Sequence, residues 1–243
     1  MKQKILQTES IILRTRNLGD SDRLVTMLSR NHGKFVAVAR GARKAKSKLA
    51  AGVDIFSYSY FNLYRGKAWP IVTGYESIRL FNCFREDLET YYYGLYLAEL
   101  TDLLVSGEES CPDVFFLLLE AWILLSLGID RPLLSRAYEL KLAAISGYSP
   151  CLSNCIICGS NRCKHFSARS GGLVCSDCLA QDSIEIDNGT IALARRIVDY
   201  PLAKLKQISL SAHQKEQLKQ VTTLFMNYYF DIPEIKSRRL LPE

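Results

Sequence analysis

Between Cys155 and Cys178 the chain reads CIICGSNRCKHFSARSGGLVCSDC, with a Cys-x-x-Cys pair at each end and sixteen residues between the pairs. Each pair can present two thiolates to one side of an ion, and Zn²⁺ takes four such ligands in a tetrahedron. The spacing falls in the range of such sites. Cys155, Cys158, Cys175 and Cys178 are therefore expected to hold one structural zinc ion, with a reduced, metal-free thiol cluster as the competing reading. Cys151, Cys163 and His165 are alternative ligands at poorer spacing. Gly159, Gly171 and Gly172 suit a tight knuckle and a hairpin between the pairs. Four thiolates leave no open coordination position, and no HExxH motif accompanies them, so catalysis by the metal is not expected. A thioredoxin-like pair would sit at a helix start after a strand, which this arrangement does not resemble. Cys83 and Cys111 read as ordinary buried thiols.

The second chemical signal is charge. The net charge of +6 is unevenly spread. Residues 1–80 carry fifteen Lys/Arg against five Asp/Glu, residues 81–150 four against eleven, and the remainder twelve against nine. Such segregation suggests that the first segment faces a polyanion. Phosphate contacts need long cationic side chains, and their number sets affinity and salt dependence. Arg14, Arg16, Arg40, Arg43, Lys44, Lys46 and Lys48 are the candidate nucleic-acid contacts, with Arg65 and Lys67 nearby. The run Arg40–Lys48 holds five of these cations and no acid. Interleaved aromatics (Phe56, Tyr58, Tyr60, Phe61, Tyr64, Trp69) offer stacking surfaces, but a small barrel needs filling, which favours a core role for most. There is no P-loop, no GxGxxG after a strand and no Ser-His-Asp set. His32 and His213 read as incidental, and Asp20 and Asp22 as turn-stabilising.

The elements that must position these groups can be read from periodicity. ESIILRTRNLG alternates as a strand; RLVTMLSR and KFVAVAR form a hairpin around His32-Gly33; IFSYSYFNLYRGKAWPIVTGYESI forms a second, turning at Arg65-Gly66. About five short strands in 80 residues point to a small barrel, with the OB-fold as the natural candidate. The basic stretch RGARKAKSKLAAG lies between the hairpins as a loop or short helix. From residue 81 the pattern turns helical. Leu88, Tyr92, Leu95, Leu100, Leu103 and Leu104 are apolar residues near helical spacing, which predicts a helix here. Pro112 and Gly128 bracket a second helix, Pro132 and Gly147 a third. Two helices follow the cysteines; Ser211 with Gln214 has capping-box spacing, and Pro233 marks the last helix end. The expectation is an α+β chain: a barrel over 1–80, a helical domain beginning at 81–150, a zinc-binding insertion at 151–183, and the helical remainder at 184–243.

Almost half the residues are hydrophobic, which excludes global disorder. The opening MKQKILQTES has no signal-peptide run. The apolar window Val114–Gly128 is too short to span a bilayer and contains Glu120, so it reads as a buried helix. Paired CxxC motifs favour metal over disulfides in a reducing compartment, and a cytosolic protein without membrane contact is expected.

Residues 17–52, NLGDSDRLVTMLSRNHGKFVAVARGARKAKSKLAAG, resemble the N-terminal signature of the RecO family, bacterial DNA repair proteins. That pattern runs roughly G-E-x-D-R-L-V, then G-K, then A-(R/K)-G-A-R-(R/K)-x-x-S. Gly19-Asp20 replaces the usual Gly-Glu, and the segment after Lys48 fits more loosely. The order of barrel, helices, CxxC…CxxC insertion and helices also matches along the whole chain. The resemblance implies a non-enzymatic recombination mediator that binds single- and double-stranded DNA through an OB-fold and anneals complementary strands. It further implies a partner, RecR, with which RecA is loaded onto DNA coated by single-stranded DNA-binding protein. Because the tail of that coating protein is acidic, Arg131, Arg136 and Lys141 are candidates for receiving it. The competing class is a zinc-ribbon transcription or translation factor, or a nuclease subunit, touching nucleic acid through Arg162, Lys164 and Arg169.

Overall fold

The computed structural model describes residues 5–66, 68–107, 109–230 and 235–241. Lys67 and Pro233 lie outside the described residues. The architecture is mixed α+β: a closed five-stranded barrel, helices, and a small sheet carrying the cysteines.

The first 80 residues supply β1 (Ile5–Leu18), β2 (Asp22–Ser29), β3 (Gly33–Ala39), β4 (Ser57–Tyr64) and β5 (Ile71–Leu80). β1 is long enough to pair with β2 at its second half and β4 at its first. A register shift between Ile12 and Arg14 lets it bend between the two. Antiparallel β2–β3 and β4–β5 hairpins are joined by a parallel contact of β3 with β5, closing the order β1-β2-β3-β5-β4. This is the OB-fold order expected from sequence. Ile12, Val25, Met27, Phe35, Ala37, Phe61, Leu63 and Val72 fill the barrel.

After a short 3-10 turn over Asn82–Arg85 come α1 (Leu88–Leu104) and α2 (Pro112–Ser126). Asp87 caps α1 by accepting the Thr90 N–H at 3.2 Å. The helix expected from the spacing of Leu88, Tyr92, Leu95, Leu100, Leu103 and Leu104 is present, but those six residues are not its buried face. Leu88 and Leu103 are exposed, and Tyr92, Leu95 and Leu104 only half-buried; of the six, Leu100 alone is buried. The buried face is Thr90, Tyr93, Gly94, Tyr96, Leu97, Ala98, Leu100 and Thr101. The reason is an aromatic cluster. Phe56 meets the rings of Phe84, Tyr91 and Trp122 edge-on at 5.0, 5.3 and 5.2 Å between centroids. A side chain at Gly94 would press into Phe84 and Phe56, and the Trp122 indole donates to the Gly94 carbonyl at 3.3 Å. A glycine costs about 1 kcal/mol within a helix, and here that cost is offset by ring packing onto its backbone. The same packing holds Phe56 at φ +67°, a strained conformation for a bulky residue.

The chain divides into two compact units, Met1–Trp122 with Ile235–Glu243 and Ile123–Glu234. In the first, the C-terminal 3-10 segment Lys236–Leu240 docks on α1 through Glu99, which accepts from Lys236 N, Ser237 N and Ser237 Oγ at 3.1, 2.9 and 2.5 Å. In the second, α3 (Arg131–Ile145) packs against α4 (Asn188–Asp199) and α5 (Ala212–Phe230). The expected punctuation is present. Asp130 caps α3, Gly128 and Gly147 take φ of +73° and +90°, and Ser211 and Gln214 exchange both capping-box bonds. Within this unit lie β6 (Cys163–Ser167), β7 (Gly172–Cys175) and β8 (Ile184–Glu185), in the order β7-β6-β8. Among the described residues, no helix is long and apolar enough to cross a membrane.

Candidate nucleic-acid interface and metal centre

Core residues Val25, Met27, Phe35, Ala37 and Ala39 point into the barrel, so their neighbours Leu24, Thr26, Val36 and Val38 point to its outer side, where Leu24 and Val36 are half-buried and Thr26 and Val38 buried. The register places Arg16 beside Leu24 and Val38, and Arg14 beside Thr26 and Val36. One side of this face is thus lined by two arginines of β1.

The end of the face is made by two loops tied together. Residues 19–21 link β1 to β2, and Arg40 begins the long connection after β3. Asp22 accepts the Gly41 N–H at 2.8 Å and the Ser21 hydroxyl at 2.9 Å. Those bonds, assisted by the charges of Arg40 and Lys44, hold its carboxyl below the usual range. Arg43 donates its backbone N–H to Ser21 O at 2.9 Å and its Nη1 to Gly19 O at 2.7 Å. Asp22 therefore has the structural role expected of it. Two turns follow, Lys44 N to Gly41 O and Ser47 N to Lys44 O, and Arg40, Arg43, Lys44, Lys46 and Lys48 are all exposed. The stretch is a chain of turns, not a helix.

The candidate contacts are not equivalent. Arg16 and the five loop cations stand in solvent. Arg14 forms an ion pair with Asp102 at 3.1 Å, a carboxylate it shares with Lys34, also at 3.1 Å. Arg23, which is not among the candidate contacts, has its Nη1 3.7 Å from Asp54; Asp54 also pairs with Arg85 at 2.7 Å. A core role was expected for most of the barrel aromatics, but only two of the six take it and Tyr58 is half-buried. Phe56 and Phe61 are buried, whereas Tyr60, Tyr64 and Trp69 are 37, 40 and 46% exposed. The loop between β4 and β5, which carries Arg65 and Trp69, is fastened to the far edge of the same face by Val38 N donating to Pro70 O at 2.8 Å.

The four cysteines of the CxxC pairs meet. Their Sγ atoms all lie within 4.8 Å of one another, with Cys158 and Cys175 3.6 Å apart. A tetrahedron with metal–sulfur bonds of about 2.3 Å has sulfurs about 3.8 Å apart, so the set could hold a metal ion. β6 and β7 form the hairpin that brings the pairs together. Gly159, at φ +77°, donates to Cys155 O at 2.8 Å and closes the first knuckle. Gly172 passes so close to Cys151 that a Cβ would overlap its carbonyl oxygen. Burial opposes ionisation of Cys155, yet the N–H groups of Cys158, Cys175 and Ile157 aimed at its sulfur lower its pKa to about 6. Cys178, hydrogen-bonded to Cys175 and Cys158, is pushed up to about 12. The three alternative ligands stand outside the cluster. Cys163 is buried and lies 3.3 Å from Ser160 O, Cys151 contacts Ser153 and Asn154, and His165 is paired across the sheet with Val174 and Glu185. Arg195 fixes the segment to α4 by donating to the carbonyls of Leu152 and Ser153, and Phe166 packs on Phe225 of α5. Cys83, expected to be buried, is exposed, and Cys111 is half-buried; burial raises the Cys111 thiol pKa.

The three central cations have separate surroundings. Arg131 opens α3 and is half-buried. Arg136 is buried and donates to both oxygens of Glu139 at 2.7 and 2.9 Å. Lys141 donates to Val198 O at 3.0 Å.

Residues 1–81 match the family model described as recombination protein O N terminal, and residues 85–239 match that of recombination protein O C terminal. Among curated relatives, a protein of Pelotomaculum thermopropionicum is 33% identical over 94% of this chain and 90% of its own length. One of Alkaliphilus metalliredigens is 32% identical over 93% and 94%, and one of Bacillus subtilis 32% over 98% and 94%. Each is named DNA repair protein RecO.

Proposed function

The chain belongs to the recombination protein O family, and from that premise we propose that it is a recombination mediator which binds single- and double-stranded DNA and anneals complementary strands. With RecR as partner, it would help load RecA onto strands coated by single-stranded DNA-binding protein. The observation that carries this reading is the loop Arg40–Lys48, five exposed cations without an acid, tied beside the β2–β3 face. OB-folds bind oligonucleotides on that face and its flanking loops. Placing cations against two backbones reduces their mutual repulsion, which is what annealing requires. Arg14, Arg16, Arg40, Arg43, Lys44, Lys46 and Lys48 are the proposed contacts. Arg14 contributes less, because Asp102 already offsets its charge.

We assign Zn²⁺ to Cys155, Cys158, Cys175 and Cys178. A four-thiolate set closes the coordination sphere, so the ion would stabilise the β6–β7 segment and perform no reaction. No catalytic role is proposed for any residue; incubation with Mg²⁺ and labelled DNA should yield no cleavage. The acidic tail of the coating protein is assigned to the region of Arg131, Arg136 and Lys141. Arg131→Ala is the informative variant there, because Arg136→Ala would also disturb Glu139.

The deciding experiment is strand annealing with coated single strands, alongside DNA affinity across a salt series. Lys46→Glu with Lys48→Glu should weaken binding and flatten the salt slope by about 1.4 on single strands and about 1.8 on duplex. This pair is preferred to Arg43 and Lys44, since Arg43 also holds the β1–β2 loop. Wild-type affinity and slope in the double variant would remove the loop from the interface.

A further inference from the structure

We infer that Trp69 is a base-stacking platform that makes the barrel bind unpaired DNA more tightly than paired DNA. The inference rests on the proposed DNA-binding reading and adds the residue that distinguishes the two substrates. The chain has two tryptophans with opposite fates: Trp122 is 0% exposed inside the aromatic cluster, and Trp69 is 46% exposed on the β4–β5 loop. An indole is a large apolar surface that folding ordinarily buries, and the barrel interior is already filled without it.

The backbone under Trp69 is restrained on both sides. A Cβ at Gly66 would overlap the Trp69 carbonyl oxygen, so the loop turns back tightly on itself. Pro70 limits the conformations open to the residue before it, and its carbonyl accepts from Val38 N at 2.8 Å. The ring is thus presented from a fixed base, and less conformational entropy is lost when it is covered. That base is the β3 edge of the outer face whose opposite side carries Arg16 and whose end carries Arg40. Cations that follow a backbone combined with an exposed ring are the two components of single-strand binding. A duplex satisfies the cations equally well but keeps its base faces stacked on one another, so the ring should contribute only to the single strand.

The position of the two tryptophans supplies the test in the full-length protein. Titration with a deoxythymidine oligonucleotide should quench tryptophan emission while anisotropy of a labelled strand reports binding. In Trp69→Phe the remaining emission comes from buried Trp122 and should not respond, while affinity is largely retained. Trp69→Ala should lower single-strand affinity roughly 5- to 150-fold, leaving duplex affinity and the salt slope unchanged. Trp122 emission checks that the fold persists. Binding without quenching, an Ala variant within twofold of wild type, or equal losses on single strand and duplex would each overturn the stacking role while leaving the cationic interface standing. Absence of any anisotropy change in the wild type would overturn the DNA-binding reading itself, and this inference with it.

Discussion

Arg136→Ala should cost far more than the loss of a surface charge. The guanidinium is 10% exposed, and Glu139, one turn along α3, is 1% exposed. The two bonds between them, at 2.7 and 2.9 Å, are short and charge-assisted. Truncation would strip both from a carboxylate shielded from water. Breaking a buried pair from one side costs about 3–5 kcal/mol, a large part of a domain stability of about 5–15 kcal/mol. With an m-value near 2 kcal/mol/M, the urea midpoint should fall by about 2 M. Urea titration followed by helical circular dichroism measures this, and it reports on the unit that lacks tryptophan. Replacing both partners, Arg136→Met with Glu139→Leu, should recover most of the loss, since apolar replacement of a buried pair is often near neutral. A single variant losing under about 1 kcal/mol, or a double variant no better than the single, would refute the reasoning. A single variant of native stability that no longer binds an acidic tail peptide would show that Arg136 serves the proposed tail site and not the stability of α3.

Three further outcomes are expected. Metal analysis of purified protein should give one zinc per chain; Cys155→Ser or Cys178→Ser should lose the ion and lower the melting temperature, and Cys163→Ser should keep it. Asp182 accepts from Ser167 Oγ at 2.6 Å and Arg169 N at 2.8 Å; burial opposes its ionisation, but these bonds prevail and lower its pKa below 3.8. Its contribution should therefore be complete above the unfolded value near 3.8 and disappear as pH falls through the depressed folded value. Asp182→Ala should reduce stability at neutral pH and weaken its dependence in that acid range, and parallel pH profiles would count against the assignment. Asp22→Ala should free the Gly41 N–H and loosen the loop Arg40–Lys48, seen as faster amide exchange there; unchanged exchange would show that Arg43 alone holds the loop.

Much of this was legible along the chain because it depends on neighbours in sequence. The CxxC spacing set the four-sulfur cluster, and Gly159 and Gly171 set the turns around it. Alternation set the barrel strands, and Ser211 with Gln214 fixed where α5 begins. The excess of cations at Arg40–Lys48 also needs no tertiary information.

What the sequence could not decide was which side of each element meets which neighbour. The leucines of α1 had helical spacing, yet its buried side is the one with Gly94, because rings from Phe56, Phe84 and Trp122 must reach the helix backbone. Arg136 was one cation among three until the fold buried it against Glu139. Cys83 read as a core thiol and stands in solvent. Phe61 and Trp69 read alike, but one faces the barrel interior and the other crowns a loop. These outcomes depend on barrel closure and helix packing, which join residues distant in sequence, such as Val38 and Ile71. Short-range spacing fixes which groups can cooperate; burial, and with it the environment of each charge and ring, is set only when distant segments compete for the same space.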